Sequence, residues 1–339
     1  MNSKITYTAA GLLMSSMALS ACGGSSSAAG GGEGGDELSL VGFSVLEAAN
    51  KEVTAAFTDS DAGSGASFLT SYGASGDQSR AVEAGKAADI VHFSLEPDLQ
   101  RLVDAKLVAD DWNTGPTKGI LSQSVVVFVV RPGNPEGIED WDDLVQDGVE
   151  VITPNPASSG SAKWNLLAAW GQATEEGGEK AGEEYVTSML ENTVALPESG
   201  RDATTLFDGG TGDVLLSYEN EAILAKQNGA EIDYVLPDTT LLIENPGAVT
   251  TDAAGPAQEF LDFVLSDEGQ SIYAKFGFRP LADVETEVEG ANDPSDPYPA
   301  PGTLLTIADT FGGWGEANGK YFDENTGLIT ELLAKTGKE

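Results

Sequence analysis

The chain has 339 residues, with 55 Asp and Glu against 17 Lys and Arg, a formal charge of −38, 40% hydrophobic residues, one His and one Cys. That apolar share supports a sizeable core, and at roughly 100–200 residues per domain the length suggests two domains or one large α/β unit. An acidic surface excludes nucleic-acid binding through a basic face, while one Cys and one His exclude a disulfide framework, a thiolate zinc site or a multi-histidine metal centre.

In chain order, the first feature is an address. Lys4 supplies a positive start, residues 5–19 are apolar or small apart from a few hydroxyl side chains, and the run closes on Leu19-Ser20-Ala21-Cys22-Gly23. Residues 1–21 read as a secretory signal, too short to remain as a spanning helix. The Leu-Ser-Ala-Cys ending resembles the bacterial lipobox, which implies lipidation of Cys22 as the first mature residue. Residues 25–35 are almost entirely Ser, Ala and Gly, so 22–36 read as a flexible tether. No later segment has 18 consecutive apolar residues, which leaves the lipid anchor as the membrane contact.

Strand and helix then alternate. Strands are expected at 38–43, 67–72, 88–93, 124–130, 149–153, 213–217 and 232–235. The run at 124–130 is continuously β-branched and aromatic, as a buried strand requires. Helices are expected at 47–57, 78–85, 97–105, 141–145, 161–174, 179–190 and 219–227, with the longest at 256–277. Residues 282–301 are rich in Pro, Asp and Glu and read as irregular; 304–335 regain helical character. Repeated strand–helix units predict an α/β fold with mostly parallel sheets.

Four turns that open helices carry the chemistry. Tyr72-Gly73-Ala74-Ser75-Gly76-Asp77-Gln78 joins a strand to a helix and exposes N–H groups at the positive end of a helix dipole, an anion site in form. Thr153-Pro154-Asn155-Pro156-Ala157-Ser158-Ser159-Gly160-Ser161-Ala162-Lys163-Trp164 supplies hydroxyls and free N–H groups as its helix opens. Glu198-Ser199-Gly200-Arg201-Asp202 precedes another short helix, and Gly212 to Glu221 is a strand whose end carries the Tyr218 hydroxyl. Each turn alone is also what a simple capped helix start looks like.

Together and in order, these segments resemble the sulfate- and thiosulfate-binding proteins of bacterial ABC importers. Residues 151–171 are close to that family's Asn-Pro-Lys-Ser-Ser-Gly-Gly-Ala-Arg-Trp signature, and Gly73 to Gln78 match its Gly-Gly-Ser-Gly-Lys-Gln. Further matches are Arg131-Pro132-Gly133-Asn134-Pro135, Asp140-Trp141-Asp142-Asp143-Leu144 and Phe278-Arg279-Pro280-Leu281. The resemblance implies a type II periplasmic-binding-protein fold, its ligand in the cleft between two α/β lobes. Lobe 1 would comprise residues 37–120 and 246–285, lobe 2 residues 121–245, and 286–339 an extension packed on both. It implies a monomer without cofactor or enzymatic activity, exported and anchored outside the cytoplasmic membrane. Its partners would be sulfate or thiosulfate, an ABC permease and an ATPase.

Carried over position by position, the resemblance implies backbone N–H donors at Leu46, Ser75, Gly160, Ser161 and Arg201 and a hydroxyl donor at Ser159. Tyr218 stands where the enteric relatives have a Trp that donates its indole N–H. A phenol donates one hydrogen bond, as the indole does, but also accepts one, which would loosen selectivity against a protonated oxyanion. Lys163 replaces an Arg, keeping the charge and losing the bidentate fork. The donor turns remain compatible with molybdate, tungstate or phosphate. A hydrolase would need a nucleophile–base pair or a metal triad, and the sequence displays neither. His92, Trp141, Trp164 and Trp170 read as packing residues, and Asp208, Asp213 and the 283–296 acidic run as solvated carboxylates.

Overall fold

The computed structural model describes residues 37–338; the expected signal, Cys22 and the tether lie outside them. β1 (Glu37–Phe43) has parallel neighbours on both sides, β2 (Ser67–Gly73) and β3 (Ile90–His92). Parallel neighbours need long crossover connections, here provided by α1 (Glu47–Asp59) and α2 (Ser75–Glu83); α3 (Glu96–Asp104) follows β3. In the second half, β5 (Val151–Ile152) lies parallel between β6 (Thr193–Ala195) and β7 (Val214–Tyr218).

Two 11-residue strands join the halves: β4 (Ile120–Val130) and β9 (Thr239–Val249). The end of β9 pairs antiparallel with β3, its middle pairs with the first half of β4, and the second half of β4 pairs with β7 and with β8 (Asp233–Val235). β10 (Thr303–Leu305) runs parallel beside the start of β9. The sheet order is therefore β2-β1-β3-β9-β4-β7-β5-β6. Among the described residues five of nine pairings are parallel, and every antiparallel one involves β4 or β9. The α/β class is as expected.

Helix boundaries differ in two places. The two helices expected at 161–174 and 179–190 are both present, end to end within α4 (Gly160–Asn192) and separated at Gly178, whose φ of 69° and ψ of −171° are non-helical and only glycine adopts them without strain. The single helix expected at 256–277 is two, α7 (Ala257–Val264) and α8 (Asp267–Lys275). Ser266 breaks it by restarting the helix, its Oγ accepting the Gly269 N–H at 3.2 Å. The second helix of the chain opens earlier than expected, at Ser75 rather than residue 78. α5 (Gly200–Asp208) and α6 (Glu219–Gln227) flank β7 in sequence, and α9 (Ile307–Phe311), α10 (Trp314–Phe322) and α11 (Leu328–Thr336) close the chain. Trp314 packs edge-on against Trp164, their ring centroids 4.7 Å apart, and α11 packs on α4. Trp141, Trp164 and Trp170 are all buried, worth at least ~1.5–3 kcal/mol each as large apolar side chains.

His92 is buried in β3, with Ser122 Oγ 3.2 Å from its Nε2 and Phe43 and Tyr273 edge-on to its ring. Burial pushes the imidazole down from 6.5 to about 3. The folded protein keeps it neutral while the unfolded chain takes up a proton near pH 6.5. The unfolded state thus binds more protons between those values, and stability falls on acidification at up to ~1.4 kcal/mol per pH unit. Buried Asp98, Glu219 and Glu221 are shifted upward by desolvation and act in the opposite sense. Comparing denaturant midpoints of wild type and His92→Asn from pH 7 to 4 isolates the imidazole. The variant is expected to show a shallower acid loss; parallel curves would refute this.

Candidate functional site

Four segments that begin helices meet at one small cavity. From the end of β1 come Phe43, Ser44 and Val45, in the 3-10 turn that leads into α1; from α2, Ala74 and Ser75; from α4, Ser159, Gly160 and Ser161; from α5, Ser199 and Gly200. Ser94, just after β3, completes the wall. The local sequence explains the geometry. A helix leaves its first N–H groups without intrahelical partners, and Gly and Ser are small enough to let a guest approach them. Ser159, the α4 N-cap, makes no capping bond, and its Oγ has no protein hydrogen-bond partner among the described residues. The Ser199 hydroxyl, by contrast, caps α5 by accepting the Asp202 N–H at 3.1 Å.

The halves touch here. Gly76 N–H donates to Ser158 C=O at 3.1 Å, and the hydroxyls of Ser94 and Tyr218 share a hydrogen bond at 2.7 Å. Ser94 is a junction: its N–H donates to Ser75 Oγ (3.0 Å), and its carbonyl accepts from Trp164 Nε1 (2.9 Å) and Asn245 Nδ2 (2.8 Å). Ser75 Oγ in turn donates to Asp98 Oδ2 at 2.6 Å and Ser199 Oγ to Asp202 Oδ2 at 2.7 Å, so both of these carboxylates are occupied behind the wall. Burial raises the Tyr218 hydroxyl far above its usual 10, partly offset by hydrogen bonding to Ser94, Asn245 and Ser161; it stays protonated.

None of the residues lining the cavity carries an ionisable side chain. Each helix N-terminus carries about +0.5 of an elementary charge, so the four sum nominally to about +2, a match for a compact dianion held by fixed dipoles. Among the described residues no three His, Cys, Asp or Glu gather as a metal centre, and Asp208 and Asp213 remain apart from the cavity.

Of the sequence-predicted residues, Ser75, Ser159, Gly160 and Ser161 come together in the wall. Leu46 and Arg201 stand one residue further along their turns than the wall-lining Val45 and Gly200; the Arg201 guanidinium points to Glu221, Nε to Oε1 at 2.7 Å. Tyr218 sits behind Ser94 rather than in the wall. Sequence reasoning missed Ser44, Ser94 and Ser199 as wall hydroxyls. The signal available for Ser94 was its place at the end of an expected strand, the position that singled out Tyr218.

A profile of the bacterial extracellular solute-binding protein family matches residues 38–279. The chain is 38% identical over 331 residues to the sulfate-binding protein of Synechococcus elongatus, covering 94% of this chain and 93% of the relative. It is 33% identical to the thiosulfate-binding protein of Pseudomonas aeruginosa, with 83% and 88% coverage. Among solved structures, the sulfate-binding protein SubI from Mycobacterium tuberculosis H37Rv superposes with a TM-score of 0.80 at 46% identity, over 85% of this chain and 100% of that one.

Proposed function

The chain belongs to the bacterial extracellular solute-binding proteins, and on that premise we propose that it captures sulfate, and secondarily thiosulfate, outside the cytoplasmic membrane for delivery to an ABC permease and its ATPase. The observation that carries this reading is the cavity wall of helix N-termini and hydroxyls with no carboxylate and no cation in it. Sulfate is fully ionised at neutral pH and offers only acceptors. Phosphate keeps a P–O–H that the backbone N–H donors cannot accept; unless a wall hydroxyl turns to accept it, a buried polar group stays poorly paired at a cost of ~1–3 kcal/mol.

The lobes we infer are residues 37–120 with 246–285 and residues 121–245. β4 and β9 cross between them, and 286–339 form the extension. Leu46, Ser75, Ser159, Gly160, Ser161 and Arg201 would supply the donors. Tyr218 would act through Ser94, and Cys22 would carry the lipid. Among the described residues no helix is long and apolar enough to cross a membrane. A bound dianion that bridges both lobes favours the closed state.

Calorimetry on the mature chain tests the reading. Heat is expected with sulfate and, more weakly, with thiosulfate; heat with phosphate or molybdate but none with sulfate would sink it. Ser159→Ala removes a hydroxyl that no group among the described residues uses, so the fold should stand. Affinity should drop ~10- to 150-fold, the ~1.5–3 kcal/mol of a hydrogen bond to a charged group; an unaltered Kd would remove Ser159 from the site. With −38 on the chain, approach of a dianion is opposed at long range. Stopped-flow on-rates should therefore rise as salt increases and the Debye length shrinks from ~30 Å at 0.01 M to ~3 Å at 1 M. Rates that are flat or falling with salt contradict this.

A further inference from the structure

The 17 Lys and Arg are scarce in this chain, yet Arg80, Arg101 and Lys163 line one second cavity of ≈ 660 Å³, open at its mouth, with Lys338 at its edge donating to the Thr193 carbonyl. Its walls come from both lobes and from the C-terminal extension. Arg80 stands on α2 and Arg101 on α3, Lys163 follows the Asn155 turn at the start of α4, and Asn318 and Phe322 come from α10. Arg80 Nη2 lies 3.4 Å from the Ala157 carbonyl across the lobe boundary.

Several donors in this cavity lack a protein acceptor among the described residues. Asn155 Oδ1 already accepts the Ala157 N–H (2.9 Å) and Asn318 Oδ1 accepts from Lys163 Nζ (2.8 Å), which leaves both amide nitrogens without a hydrogen bond among the described residues. Arg101 Nε is buried without a partner. Of the two acids in the lining, Asp323 Oδ1 accepts three hydrogen bonds from its own turn, from Asn325 N–H, Thr326 N–H and Thr326 Oγ1, while Glu324 faces the Lys163 charge, as does buried Asp98 behind the wall, which also acts on Arg101 and Arg80. Arg80 and Arg101 face Asp77 (2.5 Å) and Glu83 (3.7 Å) in partly exposed pairs, which contribute little and are readily replaced. Phe322 and Leu333 add an apolar surface, and Lys163 Nζ lies 5.0 Å over the Phe322 ring.

We propose that this cavity is a second binding site, taking a small organic anion with at least two carboxylates on a short carbon body, and that it forms only when the lobes are closed. The guanidinium and amide donors suit carboxylates, and the apolar wall has a use only if the guest has carbon to lay against it. Because both lobes build it, its ligand and sulfate must strengthen each other reciprocally; that coupling rests on the sulfate reading, the site itself does not.

Citrate is the probe, on the mature chain at constant ionic strength, with inorganic phosphate as control. Citrate at millimolar concentration should raise the melting temperature even with saturating sulfate, and should tighten sulfate binding about fivefold, the lower end of measured couplings. Arg80→Gln and Arg101→Gln, made separately, should each abolish both effects while leaving the sulfate Kd in citrate-free buffer within about twofold. No response to citrate, a response that survives both substitutions, one that disappears when sulfate saturates, or an equal response to phosphate overturns the proposal. A citrate response that both substitutions remove, in a chain that ignores sulfate, keeps this site and refutes the sulfate reading instead.

Discussion

Gly160→Ala is expected to weaken sulfate binding by roughly 10- to 150-fold, while the unliganded protein melts where the wild type does. A Cβ at residue 160 would overlap the Ser94 hydroxyl and lie 2.7 Å from Ser94 Cβ and 2.9 Å from Leu95 Cδ2. On the proposed lobe division those atoms belong to the opposite lobe, so the methyl would obstruct closure rather than folding. Overpacking of this kind costs ~1–3 kcal/mol, and pushing the lobes apart also lengthens every bond to the ligand. Gly200→Ala is the control on the same wall. Its Cβ would meet Ser161 and Val45 at 3.4–3.5 Å, ordinary contact, so its loss should stay below about fivefold. Titration calorimetry beside a melting curve decides: equal losses in the two variants, or an unfolded Gly160→Ala, would show that the contact is not a closure contact.

The largest stability effect is expected at Arg279→Met. Arg279 Nε donates to Glu219 Oε2 at 2.7 Å, and Nη2 donates to Glu219 Oε1 and to the Pro299 carbonyl, each at 3.0 Å. Glu219 is only 1% exposed, and burial already pushes its carboxyl upward against the pull of Arg279. Removing the cation strands a buried carboxylate, at ~3–5 kcal/mol, or a fall in melting temperature of roughly 5–8 °C for a chain of this size. Adding Glu219→Gln should restore part of the loss, because the stranded charge goes with it. The solvent-exposed Lys180–Glu184 pair gives the contrast: Lys180→Met should leave the melting curve unchanged. Scanning calorimetry that finds Arg279→Met as mild as Lys180→Met would refute the assignment.

Much of the architecture was legible because the apolar periodicity of each short element agrees with its burial. β9 was not. Thr239–Val249 contains Asn245-Pro246-Gly247, which reads as a turn, yet the strand continues through it. The Pro246 carbonyl accepts the Phe93 N–H, Gly247 N–H donates to the Gly119 carbonyl, and a Cβ on Gly247 would strike the Val91 carbonyl. Distant partners decide this segment, and no local rule contains them. The α7–α8 break was hidden for a different reason. Phe260, Leu261 and Val264 before it and Ile272 and Tyr273 after it are all buried, so the helical pattern runs straight over Ser266. At the candidate site, the Gly- and Ser-rich helix starts announced themselves by composition. Ser94, in Phe93-Ser94-Leu95, is marked only by following an expected strand, and its position between Ser75, Tyr218, Trp164 and Asn245 exists only in three dimensions.

The cavity lining without an ionisable group has a consequence for unloading. A site that held its guest with a histidine or a carboxylate could be emptied by a proton. Here neither Phe43–Val45, Ser94 nor the helix starts offer anything that a shift of pH could switch. Release would then follow thermal opening of the two lobes rather than a protonation event in the lining itself, with the motion taken up in β4 and β9, the strands that join the two halves of the sheet.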